Sequence, residues 1–229
     1  MLYQIILNNN YSAEDAIIMF LISIFVFFIS LTLHEFAHGF AAYKMGDPTP
    51  KIQGRLTLNP VKHLDPMGLM CFIFFGFGWA KPVQVNPTNF KKFKTGTKVV
   101  SIAGVLANLL LGFLAAGIMA ILLLTVGIPN TAMAYVYSVL EMFMMVNSFL
   151  FMFNILPIFP LDGFNFISSF LKPNNKFVQF NHRNGNKLMW GIILGSLIFE
   201  LFFSIDVLSW YLSVLYNYVF SPIAFLGVL

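Results

Sequence analysis

Polar and apolar positions alternate along the chain on the scale of whole helices. From Ala16 to Leu33 no side chain is charged, and the run is long enough to span a bilayer as a helix. The pattern continues to residue 45 and stops at Gly46-Asp47-Pro48, a helix terminator. Comparable apolar stretches cover about 99–127, 132–156, 188–203 and 207–229, so about five transmembrane helices are expected. Residues 67–79 are apolar but too short and too glycine-rich to cross, and read as re-entrant or interfacial. Upstream of them, 49–65 alternates with period two around Gly54 and predicts a short β-hairpin. Pro82-Val83-Gln84-Val85-Asn86-Pro87 reads as an extended edge, and 172–187 as a polar, Asn-rich loop. The expected fold is an all-α polytopic membrane protein, with a re-entrant/β-hairpin segment between its first and second spans. Pro157 and Pro160 break the third span and leave Asp162 on irregular backbone, tolerated at such depth only if packed in protein or lining a wet cavity.

Composition supports this reading. Apolar residues make up 59% of the 229 positions, charged residues only 10%, and mean hydropathy is +0.81. Soluble domains carry about 25% charged residues, so that class is excluded. All 13 Lys and Arg fall within 44–98 and 172–187, which alternating spans place on one side, whereas Glu14, Asp15 and Asp206 fall on the other. The positive-inside rule then puts the N-terminus outside and the basic loops in the cytoplasm, as for a multi-pass protein of the plasma membrane. Lys44, Lys91, Lys92 and Lys94 suit anionic lipid headgroups rather than nucleic acid. Residues 1–7 lack a basic flank and are followed by Asn8-Asn9-Asn10, so no cleavable signal is expected. The single cysteine, Cys71, excludes an internal disulfide and a multi-cysteine metal site.

Candidate chemistry centres on His34-Glu35-Phe36-Ala37-His38, near the cytoplasmic end of the first helix. Residues four apart share a helix face, so His34 and His38 can grip one metal ion with Glu35 beside them. This is the H-E-x-x-H arrangement, in which two imidazoles hold zinc and the carboxylate takes a proton from water. The competing reading is an interfacial helix end with two unliganded histidines; ionisable groups at membrane depth are costly and usually functional, which disfavours it. A catalytic zinc takes three protein ligands and keeps one open position. The third span descends from the same side as the first and brings Asn154 and Asp162 to the level of the histidines, so Asp162 is the acid best placed to be the third ligand. His63 and His182 are alternatives. Glu141 and Glu200 lie nearer the outer ends of their spans and suit a polar pocket or the bundle interior. Gly104, Asn108, Gly112 and Ala116 recur every four residues and predict a helix seam, with Asn108 bonding across it.

Together these residues resemble the site-2 protease family of intramembrane zinc metalloproteases, in its short bacterial form. The resemblance rests on HEFAH, on Gly54-Arg55-Leu56-Thr57-Leu58-Asn59-Pro60 with His63 and Asp65-Pro66, on Gly78-Trp79-Ala80-Lys81-Pro82-Val83, on Ala103-Gly104 through Asn108, and on Asn154-Ile155-Leu156-Pro157-Ile158-Phe159-Pro160-Leu161-Asp162-Gly163. It covers about residues 30–165 in the family's order. It implies one zinc per chain held by His34, His38 and Asp162, with Glu35 as catalytic base and Asn154 beside the site, holding either substrate backbone or the oxyanion. It further implies hydrolysis of peptide bonds within or near transmembrane segments of membrane-protein substrates. Residues 1–229 then form a single metalloprotease domain, with the catalytic core at about 16–165 and C-terminal helices at about 188–229. Family members often add a PDZ or CBS domain, for which this chain has no room, so a separate regulatory partner is compatible with it. A silent membrane scaffold is disfavoured because every catalytic group is present. A metal transporter is disfavoured because the polar groups gather at one depth.

Overall fold

The first helix, α1 (Ala13–Met45), owes its ends to its flanking residues. Ser12 accepts a hydrogen bond from the Asp15 N–H at 3.1 Å, Glu14 and Asp15 complement the positive end of the dipole, and Gly46 closes the last turn at φ 112°. In this computed structural model, which describes residues 12–75, 77–203 and 207–225, α1 is 33 residues long. That corresponds to about 50 Å, more than the roughly 30 Å hydrocarbon core.

The segment after α1 is helical turns and loops where the alternating pattern predicts a hairpin. Pro48 precedes a single turn, α2 (Thr49–Ile52), and the Asp47 carboxylate accepts from the Thr49 N–H at 3.1 Å and the Thr49 hydroxyl at 2.6 Å. These bonds and the prolines favour a turn over a strand. Gly54 follows at φ 65°. Among the described residues no strand forms; Leu64 and Ala80 make an isolated antiparallel bridge, and the Lys81 N–H donates to the His63 carbonyl at 2.8 Å. Between the two bridged segments lies α3 (Pro66–Phe75), 10 residues and too short to cross, capped by Asp65. Phe72 of α3 stacks on Phe27 of α1 with ring centroids 3.9 Å apart. Residues 81–86 are loop, with Asn86 in the extended region, and form no strand among the described residues.

Two more long helices follow, α4 (Phe93–Thr125) and α5 (Thr131–Asn154). With α1 they are the three described helices long and apolar enough to cross a membrane. Each of the three packs on the other two, and α4 also receives α6 (Asp162–Ser168). The third span ends at Asn154 and the backbone is irregular through 161, but Asp162 itself opens α6 rather than lying on the irregular segment. Of the expected polar loop at 172–187, residues 176–187 instead belong to the first half of α7 (Lys176–Phe203). Its reason is packing: Val178, Asn181 and Gly185 are buried along one stripe, and the Asn181 side chain accepts from the Phe159 N–H at 3.2 Å. The last stretch is broken into α8 (Val207–Leu212), a π-helical turn at Tyr216–Phe220 and α9 (Ser221–Ala224), not one continuous span. Phe220 fills the space beside Gly112 of α4. The expectations for residues 1–7, for the Glu200 side chain and for Asp206 fall outside the described residues.

Candidate metal centre

His34 and His38, one turn apart on α1, both face α4 at Gly104. A β-carbon at that position would overlap Nε2 of His38 and stand 2.6 Å from Cε1 of His34, so the glycine makes the room in which the rings meet. Their Nε2 atoms are 3.1 Å apart. Asp162 arrives on α6, which packs on the same helix α4, and its Oδ2 lies 3.1 Å from Nε2 of His38 and 3.4 Å from Nε2 of His34. Gly163 lets this turn close against the Ile155 carbonyl. Two segments 124 residues apart thereby meet at one point.

The donor set fits zinc. Four ligands at about 2.0–2.1 Å from a tetrahedral zinc lie roughly 3.3 Å from one another, and the three separations here are 3.1, 3.1 and 3.4 Å. Tautomers agree with the distances. Nδ1 of His38 is 2.7 Å from the Val100 carbonyl, which can only accept, so Nδ1 carries a hydrogen and the neutral ring presents Nε2 as its electron-pair donor. Nδ1 of His34 is 2.6 Å from Oδ1 of Asn108, with the same consequence. Three electron-pair donors converge on one point, an arrangement that a shared cation stabilises. His34, His38 and Asp162 are therefore a group able to hold a metal ion.

Glu35, next to His34, accepts at Oε2 from the Val83 N–H at 2.8 Å. Gly39, one turn further on, lets Val83, Leu56 and Pro50 pack against α1, which holds the Val83 loop beside the carboxylate. Asn154 closes α5, and its Nδ2 donates to the Leu150 carbonyl at 2.9 Å. His63 is buried and bonded through Nε2 to the Thr57 carbonyl at 3.0 Å, and the His182 ring packs on Phe159 and Phe164; the structure brings neither to the three donors. Glu141 accepts from the Tyr216 hydroxyl at 2.7 Å. Sequence reasoning gave Asn108 a seam role and missed its contact with His34, and it missed Asn147 and Ser30 altogether. Their signal was present as uncharged polar residues inside apolar spans, where each polar atom needs a partner.

Membrane-length helices enclosing a two-histidine, one-carboxylate group beside a further carboxylate define a membrane-associated helical metalloprotein. Comparison with known proteins narrows this class. The chain is 43% identical over 150 residues to "Putative zinc metalloprotease YwhC" of Bacillus subtilis, an alignment covering 63% of this chain and 67% of the relative. It is 32% identical over 163 residues to "Putative zinc metalloprotease Rip2" of Mycolicibacterium smegmatis, covering 69% and 60%. It is 30% identical over 152 residues to the protein of that name from Mycobacterium tuberculosis, covering 65% and 56%. The chain belongs to this zinc metalloprotease family. It spans about two thirds or less of the length of these curated relatives. No protein-family profile and no solved structure matches it.

Proposed function

We propose that this chain is an intramembrane zinc metalloprotease of the site-2 kind, cutting peptide bonds within or near transmembrane segments of membrane proteins in regulated intramembrane proteolysis. The observation that carries the reading is the convergence of His34 Nε2, His38 Nε2 and Asp162 Oδ2 at 3.1–3.4 Å, one residue from Glu35 and on a membrane-length helix. His34, His38 and Asp162 hold one zinc, which when bound acidifies water and polarises a carbonyl. Glu35 is the general base: Oε2 is held by the Val83 N–H, which leaves Oε1 to take a proton from water and return it to the departing amine. Asn154 has one amide hydrogen committed to Leu150, and its second, without a partner among the described residues, can hold substrate backbone or the developing oxyanion. A helical substrate has its carbonyls bonded internally and must unwind before attack, and the segment 82–86 beside Glu35 offers backbone to which the unwound stretch can pair. The basic loops lie in the cytoplasm with the site near that face of the plasma membrane, a placement supported by the position of all 13 Lys and Arg.

The test is cleavage of a panel of transmembrane substrates by detergent-purified protein, with zinc content measured alongside. Wild type should carry about one zinc and cut. Glu35→Gln should keep zinc and lose cleavage by several orders of magnitude, and Asp162→Ala should lose both. Full zinc occupancy without Asp162 would remove it from the ligand set, and a wild type that binds no zinc would remove the protease reading.

A further inference from the structure

The two histidines are oriented by unlike devices. Nδ1 of His38 faces a main-chain carbonyl, whose polarity is fixed. Nδ1 of His34 faces the carboxamide of Asn108, which has an accepting end and a donating end and would present the wrong one if turned over. A turned Asn108 would offer Nδ2 to Nδ1 of His34, forcing the ring hydrogen onto Nε2, where it points at His38 and Asp162.

We propose that Asn147, through Asn108, is a lock on the tautomer of His34 and so sets the affinity of the centre for zinc. The bond directions run one way. Asn147 Nδ2 donates to the Phe143 carbonyl at 2.8 Å, an acceptor that cannot be reversed, and to the Ser30 hydroxyl at 3.0 Å. Its two amide hydrogens are thereby committed, and its Oδ1 must face Asn108. Asn108 Nδ2 donates to that oxygen at 2.8 Å, which turns Asn108 Oδ1 toward His34. Ser30, Asn108 and Asn147 are each 0% exposed and His34 is 5% exposed, so bulk water has no access to substitute for a missing partner. The chain of bonds crosses α1, α4 and α5, so the register of three helices is read out at one ring nitrogen. Both asparagines are positioning residues, acting through His34, and the inference rests on the zinc reading given above.

Zinc dissociation constants of the full chain in detergent, from competition with a chelator, test the lock; helix content by circular dichroism is recorded for each variant. Asn147→Leu removes the oxygen that orients Asn108 and should weaken zinc binding about 10- to 100-fold. Ser30→Ala leaves the Phe143 carbonyl in place and should change affinity by less than about 3-fold. The decisive variant is Asn108→Asp combined with Asn147→Leu. A carboxylate accepts from Nδ1 of His34 whichever oxygen faces it, so affinity should return to within about 3-fold of wild type, a rescue that a merely structural role for the pair does not predict. The lock is overturned if folded Asn147→Leu binds zinc as wild type does, or if the double variant binds no more tightly than Asn147→Leu. A wild type that binds zinc while these outcomes occur leaves the metal reading standing; a wild type that binds none overturns both.

Discussion

Gly104 decides whether two imidazoles and a carboxylate can share a point. In a helix interior alanine is ordinarily better than glycine by about 0.5–1 kcal/mol, so α4 alone would favour Ala there. The histidines reverse the preference, because the added methyl would stand 2.6 Å from Cε1 and 2.7 Å from Nε2 of His34. Gly104→Ala should therefore lower zinc affinity at least about tenfold, with helix content unchanged. Gly117 lies in the same helix, and a β-carbon there would meet nothing within 4 Å. Gly117→Ala should leave zinc affinity as in wild type, and equal losses in the two variants would show that the effect belongs to the helix and not to the site. At this scale the sequence was legible in bringing His34 and His38 to one point, because a four-residue spacing defines a helix face. It was not legible for the Val83 N–H on Glu35 or for Asn147 behind Asn108, since which polar atoms meet across helices depends on helix rotation and depth.

Asp47 shows how one residue joins elements. It is fully buried just past the end of α1 and binds Thr49 at the start of α2, the Asn86 N–H at 2.7 Å and the Asn89 side chain at 2.8 Å. Burial pushes its carboxyl up, but the Thr49 hydroxyl, the Asn89 amide and the N–H groups of Asn86 and Thr49 outweigh this and hold it below the usual carboxylate value. A folded-state pKa below the unfolded one contributes stability at pH values above about 4, and that contribution is lost as the pH falls through the folded-state pKa. Limited proteolysis within 81–92 should thus accelerate as wild type is taken from pH 6 to pH 3, whereas Asp47→Asn should be cut faster at pH 6 and show little further change. An identical acid response in both would show that Asp47 does not hold this segment. In sequence, Gly46-Asp47-Pro48 reads only as a stop, because two of the Asp47 partners, Asn86 and Asn89, lie about forty residues downstream. The same blindness made residues around Gly54 look like a hairpin: alternation was visible, but the caps that turn the chain were not. The polar half of α7 was unreadable as helix for the complementary reason that its buried stripe packs on the Phe159 loop, not on lipid.

Across the whole molecule, three helices are long and apolar enough to cross a membrane and α4 settles assembly, since α1, α5 and α6 all meet it. The short helix α6, seven residues that follow an irregular loop, carries Asp162 to α1. A bound metal joins α6 to α1 directly, so metal should stabilise the fold as a ligand of the native state. At a free concentration about 100 times its dissociation constant, a ligand stabilises by about 2.7 kcal/mol, which for a domain of this size raises the unfolding midpoint by on the order of 5 °C or more. Removing zinc with a chelator should lower the midpoint of wild type and of Glu35→Gln by the same amount, because Glu35 is not a ligand. Asp162→Ala should start low and not respond. The check is thermal unfolding of the three proteins in detergent with zinc and with chelator. A full zinc response in Asp162→Ala would mean that the metal does not join α6 to α1, and an absent response in Glu35→Gln would mean that Glu35 shares in holding it.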